Sequence, residues 1–171
     1  MKNIKTLIVV DMQNDFIDGA LGTKEAVAIL ENVKKKIREC YENGCQIIFT
    51  RDTHHENYLQ TNEGRNLPVK HCIKGSSGWQ IAEGLEVPKA IYIDKPTFGY
   101  VNWSEFELGD VEIIGLCTDI CVVSNALIIK AIFPENNVYV DASCCAGVTP
   151  ETHKAALETM KMCQVIVKED K

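Results

Sequence analysis

"VEIIGLCTDICVVSNALIIKAIF", residues 111–133, changes character once. Val111 to Leu116 is apolar but for Glu112 and rich in β-branched residues, the pattern of a strand covered on both faces. Val122 to Phe133 is apolar nearly all round, the pattern of a deeply buried helix. Cys117 and Cys121 lie at the changeover. A buried strand running into a buried helix is the unit of an α/β sheet, and the chain repeats it. Thr6–Asp11, Cys45–Asp52, Ala90–Lys95, Asn137–Ala142 and Cys163–Val167 are further short apolar runs without alternation. From Lys24 to Asn43, the residues Val27, Leu30, Val33, Ile37 and Cys40 make a helical stripe, and Gly44 stands where a helix end takes positive φ. Thr149 is an N-cap with Pro150 at the first helical position. This order predicts an α/β fold: a three-layer sandwich around a central, mostly parallel six-stranded sheet. No repeat or linker interrupts it, so residues 1–171 are expected to form a single domain.

Composition narrows the partners. A net charge of -6 disfavours nucleic acid, whose phosphates need a basic face. The run Lys34-Lys35-Lys36 falls on the polar side of a predicted helix. No apolar run is long enough to span a bilayer, so no membrane partner is expected. The short apolar stretch after Met1 ends in Asp11 without a small-residue cleavage site, which predicts no signal peptide and a cytoplasmic location. Eight irregularly scattered cysteines are then expected to be mostly buried thiols.

Parallel α/β sheets bind ligands beyond the carboxyl ends of their strands. There the sequence places Asp11, Asp52 followed by His54, Lys95, and the pair Cys117 and Cys121. Singly, each has an ordinary explanation: a turn cap, a surface lysine, thiol packing. A disulfide between the cysteines is disfavoured in a reducing compartment, and no second pair completes a zinc ribbon. A nucleophilic Cys121 gives the groups a joint purpose. It would open a helix whose N-terminal N–H groups favour a thiolate, Lys95 would lower its pKa, and Asp11 would take its proton. The same turn offers backbone N–H groups for an oxyanion, with Cys117 supplying backbone rather than sulfur. A second constellation is Asp52, His54 and His71. Asp-x-His puts two ligands on one face of an extended segment, and carboxylate plus imidazole suits zinc, iron or manganese. Glu63 is a further candidate ligand, while His55 should point away. Both Glu63 and His71 lie in the aperiodic stretch His54–Gly78, and a loop of that length is commonly functional.

"VVDMQNDF" (9–16), "TRDTHH" (50–55), "LPVKHCIKGSSGW" (67–79), "DKPTFGY" (94–100) and "GLCTDICV" (115–122) together resemble the isochorismatase-like cysteine hydrolase superfamily, and within it the nicotinamidase branch. The resemblance runs nearly the whole length. It implies a catalytic triad of Asp11, Lys95 and Cys121, and one divalent metal, zinc with iron or manganese as alternatives, on Asp52, His54 and His71, with Glu63 a candidate fourth ligand. It also implies a cis peptide at Leu116–Cys117, an oxyanion hole from the backbone N–H groups of Cys117 and Cys121, and Phe16 and Trp79 beside the substrate. The implied reaction is hydrolysis of nicotinamide to nicotinate and ammonia through a Cys121 thioester, in NAD salvage, by a homo-oligomer acting on a small-molecule amide.

The chain departs from that branch at three places. Cys117 stands where alanine is usual, Ile120 replaces the commoner tyrosine or histidine, and "FGY" follows Lys95 in place of an "FSAF"-like run. Ile120 and Tyr100 are therefore expected to reshape the pocket. Two alternatives stay open: a related cysteine amidohydrolase for a ureido, carbamoyl or other small amide, and a non-catalytic metal or redox-sensing module in which Cys121 is oxidised.

Overall fold

The computed structural model describes residues 5–169. Its sheet comprises β1 (Thr6–Val10), β2 (Gln46–Asp52), β3 (Ile91–Lys95), β4 (Val111–Leu116), β5 (Val138–Ala146) and β6 (Ile166–Lys168). The spatial order is β3-β2-β1-β4-β5-β6 and every neighbouring pair is parallel. All six expected strands are present, and the sheet is wholly parallel where a mostly parallel one was expected. The last strand starts at Ile166 rather than Cys163, because Cys163 ends the preceding helix and Gln164 turns the chain with φ +66°.

Helices α1 (Asn14–Ile17), α2 (Lys24–Ala28), α3 (Leu30–Glu42), α4 (Asn62–Asn66), α5 (Val123–Ile132) and α6 (Pro150–Met162) complete the layers. Alternate residues of β1 feed the two cores. Leu7 and Val9 pack with Val33, Ile37 and Cys40 of α3. Ile8 and Val10 pack with Ala126 and Ile129 of α5 and with Leu157 and Met160 of α6. Burial on both faces is why these strands read as unbroken apolar runs.

The helix expected over Lys24–Asn43 is two helices meeting at Ile29. Thr23 caps α2 separately, its Oγ1 accepting from the Ala26 N–H at 3.0 Å. That start turns Ala26 and Ile29 inward, and Val27, expected in the stripe, is half exposed. Gly44 takes φ +73° after α3, and Thr149 caps α6 with Pro150 in its first turn, both as expected.

The strand order reverses between β1 and β4, and such a switch point opens a crevice beyond the strand ends. The two strands approach closely there. Gly115 has φ +117°, and a Cβ at this position would collide with the Val10 carbonyl. On the far side of β4 the register jumps: Ile113 lies opposite Val140, but Gly115 lies opposite Cys145. The extra residues form a bulge, where Asp141 accepts hydrogen bonds from the Ser143 N–H (3.1 Å) and hydroxyl (2.7 Å). Lys36 of α3 bridges Asp141 (2.8 Å) and the buried Glu112 (3.2 Å) beneath it.

Candidate active site

Three strand ends deliver one buried cluster. Asp11 follows β1 with φ +47°, a conformation that aspartate tolerates better than most side chains. Thr50 of β2 holds it: the Asp11 N–H donates to the Thr50 carbonyl at 3.1 Å, and the Thr50 hydroxyl donates to Asp11 Oδ1 at 2.7 Å. Lys95 ends β3 opposite Asp52 of β2 and is fully buried, not a surface lysine. Its Nζ lies 2.6 Å from Asp11 Oδ2, 3.4 Å from Cys121 Sγ and 3.7 Å from Asp52 Oδ1. The cation therefore sits among two carboxylates and a thiol, with Lys95 and Asp11 fully buried and Asp52 and Cys121 nearly so.

Cys121 does not open its helix as expected. A π-helical turn over Thr118–Val122 precedes α5, and Cys121 is the fourth residue of that turn. The Cys117 carbonyl accepts from the N–H groups of Ile120 (3.1 Å) and Val122 (3.0 Å), which straddle Cys121. The Leu116–Cys117 peptide is cis. Burial and the Asp11 carboxylate push the Cys121 thiol well above its ordinary value, and Lys95 only partly offsets them. The expected lowering of the thiol pKa is thus not found: burial outweighs the cation. Burial likewise raises Asp11, against the pull of Lys95, while Lys95 is raised because Asp11, Cys121 and Asp52 together outweigh its own burial.

The second cluster adjoins the first. One ligand atom from each of Asp52, His54, Glu63 and His71 can be chosen so that all four lie within 4.8 Å of one another. The backbone sets this arrangement. His54 N–H donates to the Cys72 carbonyl and Lys74 N–H to the His54 carbonyl, both at 2.9 Å, which aligns the His71 segment beside β2. Thr61 caps α4 through the Gly64 N–H (3.0 Å) and so places Glu63. Tyr58 packs against both imidazoles, with ring centroids 4.6 Å from His54 and 5.0 Å from His71. Its hydroxyl donates to the Leu67 carbonyl at 2.9 Å. His55 is exposed, as expected.

These four residues fit a divalent cation. His71 Nδ1 is 2.8 Å from the Val69 carbonyl, a bond it makes as donor, so its Nε2 lone pair faces the cluster. His54 Nε2 is buried without a well-directed hydrogen bond, although Asp52 Oδ2 lies 2.9 Å away, and Asp52 Oδ1 also lacks one. Burial alone would lower His54, but the Asp52 and Glu63 carboxylates raise it to about 9. Burial alone would raise Asp52, and the two histidines and Lys95 more than reverse that. Inward-facing carboxylates and imidazoles are the donor set of zinc, iron or manganese.

Both clusters open into one cavity of about 290 Å³. Asp52, Glu63 and His71 line it together with Cys117 and Cys121, and Phe16 lines it with its ring 5.5 Å from that of His71. Trp79 does not line it. Its Nε1 donates to Thr53 Oγ1 at 2.9 Å and the Arg51 guanidinium covers its ring at 4.0 Å, so it braces the strand behind Asp52. Ile120 lines the cavity, whereas Tyr100 does not: its ring packs edge-on to Trp103 at 5.2 Å.

Two further residues went unread in the sequence. Gln13 clamps the Asp52 backbone, its Nε2 donating to the Asp52 and Trp79 carbonyls (both 2.9 Å) and its Oε1 accepting from the Asp52 N–H (2.7 Å). Asn125 ties the turn bearing Cys121 to the segment after Lys95. Its Nδ2 donates to the Cys121 (2.8 Å) and Phe98 (3.2 Å) carbonyls, and its Oδ1 accepts from Tyr100 N–H (2.9 Å) and Trp103 Nε1 (3.1 Å). For Asn125, a polar residue inside an apolar run was the signal available; Gln13, between Asp11 and Asp15, carried none.

A wholly parallel α/β sandwich with an Asp–Lys–Cys cluster at its switch point is a hydrolase scaffold. The chain belongs to the isochorismatase family: the model of the isochorismatase domain matches residues 5–170. It is similar to the zinc-bound crystal structure of a pyrazinamidase from Pyrococcus horikoshii, at 30% identity and TM-score 0.84, covering 98% of this chain and 100% of that one. The crystal structure of a nicotinamidase/pyrazinamidase from Bacillus subtilis is 26% identical with TM-score 0.84, over 98% and 100% of the two chains. A nicotinamidase/pyrazinamidase from Mycobacterium tuberculosis is 25% identical, over 95% and 97%. Among the described residues no helix is long and apolar enough to cross a membrane.

Proposed function

We propose that this chain is a metal-dependent cysteine amidohydrolase that converts nicotinamide and water to nicotinate and ammonia. The observation carrying this is the placement of Lys95 Nζ 2.6 Å from Asp11 and 3.4 Å from Cys121 Sγ, beside the four-ligand cluster that opens into the same cavity. The relatives' named activities on pyrazinamide and nicotinamide support the same substrate class.

Burial and the Asp11 carboxylate hold the Cys121 thiol above its ordinary value, so its activation coincides with attack. Asp11 takes the Cys121 proton as sulfur bonds to the amide carbonyl carbon. Lys95 stabilises the charge that the pair then shares. The N–H groups of Cys117 and Cys121 stabilise the carbonyl oxygen as it becomes an oxyanion, where one lost donor typically costs about 10²–10³-fold in rate. Asp11 returns its proton to the nitrogen, the C–N bond breaks and ammonia leaves. Water, deprotonated by Asp11, attacks the thioester, the C–S bond breaks, and Cys121 recovers its proton as the acid is released. A divalent ion, zinc first among the candidates, held by Asp52, His54, Glu63 and His71, supplies a Lewis-acidic centre able to take a ring nitrogen. Phe16 packs against the ring and limits its rotation, which holds the carbonyl before the sulfur.

The test is ammonia release from nicotinamide by zinc-loaded protein, with Cys121→Ala as the partner variant. Release that is absent in a folded Cys121→Ala supports the assignment; release that persists removes Cys121 from the chemistry.

A further inference from the structure

The cavity lining divides by burial as well as by chemistry. Asp52, His71 and Cys121 are buried, and Glu63 and Cys117 partly so. The apolar lining residues Leu21, Leu67, Phe98, Ile120 and Val148 are all partly or largely exposed, and so mark its outer part. These five come from five different segments, yet all line one cavity. Leu67, Phe98 and Val148 are 39%, 46% and 51% exposed, and they rank among the large hydrophobic side chains that the fold leaves in water. Isolated exposed apolar residues are ordinary, but convergence of several on the rim of one cavity is not.

Volume points the same way. A cavity of about 150 Å³ is enough for a single six-membered ring, whereas this one holds about 290 Å³. A pyridine amide with its carbonyl at Cys121 occupies only part of that volume and leaves room beside the apolar lining. Ile120 is central to this division, because it stands one residue before Cys121 and presents only hydrocarbon where a hydroxyl or imidazole would have offered a polar contact.

We propose that Leu21, Leu67, Phe98, Ile120 and Val148 form an outer subsite for an apolar substituent on the ring, so that the enzyme's preferred substrates are alkyl-substituted or benzo-fused heteroaryl amides. This rests on the amidohydrolase assignment above and refines its substrate. Burying the substituent removes the rim side chains from water together with the ligand's own hydrocarbon. The amide itself reacts as before, with the same bonds made and broken.

The experiment compares pyridine-3-carboxamide with its 5-propyl and benzo-fused derivatives on zinc-loaded protein. At least one derivative is expected to exceed the parent in kcat/KM by about tenfold, in the range that added hydrocarbon in an apolar pocket provides. Val148→Ser and Phe98→Ser, both at exposed positions that the fold does not need, should shrink that ratio several-fold. Calorimetric affinity of the same three amides for Cys121→Ala protein gives a second measure that does not depend on turnover. If the parent is hydrolysed or bound as well as both derivatives, the subsite is refuted while the amidohydrolase assignment stands. If no amide is hydrolysed, the assignment fails, and the ratio of affinities alone decides the subsite. A stable dimer that Val148→Ser or Phe98→Ser disperses would show the rim covered by a second copy, and would also refute it.

Discussion

Lys95→Met is the most informative perturbation of this structure. The lysine is fully buried, 2.6 Å from Asp11 and 3.7 Å from Asp52, and methionine keeps most of its volume while deleting the charge. Two carboxylates that share one cation would then be left in a dry interior. Removing one partner of such a pair typically costs about 3–5 kcal/mol, chiefly because the remaining charge is stranded. For a chain of this size about 1 kcal/mol moves Tm by about 2–4 °C, so a fall of roughly 6–20 °C is expected. Asp11 would also lose the cation that opposes the upward push of burial, so its charged, proton-accepting form would be less available to the thiol. The discriminating measurement is a double-mutant cycle with Asp11→Asn, read by thermal unfolding and by ammonia release. The double variant, with neither charge, should be more stable than Lys95→Met alone and equally inactive. A Lys95→Met protein within about 2 °C of the parent, or a double variant whose losses simply add, would refute the buried ion pair as the organising element of the site.

Three further outcomes follow from the geometry. Chelation should abolish nicotinamide turnover and zinc should restore it, while His71→Ala should fail to retain zinc by elemental analysis; turnover indifferent to chelation would dismiss the ligand set. Gln13→Ala leaves the buried N–H and C=O groups of Asp52 without their side-chain partners, so a loss of about 2–4 kcal/mol in denaturant unfolding is expected together with weakened zinc retention. Asp141 is opposed by burial but held below the ordinary carboxylate value by Lys36 and Ser143. A depressed carboxylate stabilises above its unfolded pKa, near 3.9, and loses that contribution as pH falls through its folded value. The Tm gap between parent and Asp141→Asn should therefore be widest above about pH 5 and close as the pH falls below about 4. A gap independent of pH would remove the Lys36 pair from the account.

The features legible in the sequence were those written in short-range pattern. Strand positions came from unbroken apolar runs, and the catalytic candidates from what each run ended with. That sufficed to gather Asp11, Lys95 and Cys121, because parallel strands all point their carboxyl ends one way. What escaped depends on the third dimension. Val27 fits the helical stripe as well as Ala26 does, and only the separate Thr23 cap turns it outward. Trp79 sits in a motif beside the ligands, yet its indole faces Thr53 and Arg51 rather than the cavity. The Cys121 thiol sits near a cation and was expected to be acidic, but burial is a property of the whole fold and reverses the sign. Asn125 gave only the weak signal of a polar side chain in an apolar run, and Gln13, set among Asp11, Asn14 and Asp15, gave none, since their partners lie 22–27 and 39–66 positions away.

The strand order also has a temporal side. β1 carries Asp11 and is synthesised first, yet it lies between β2 and β4, and both of its edges are paired only once residue 116 has been made. At about 5–20 residues per second, the aspartate waits several seconds or more on the ribosome before the sulfur it serves exists. Lys95 arrives in between, and Cys121 follows within the next turn of chain. A truncated product ending before β4 contains the base and the cation but no nucleophile, and a product containing the nucleophile already has every strand of the switch point. The nucleophile in this chain thereby emerges only after all four strands that form the switch point and carry its partners.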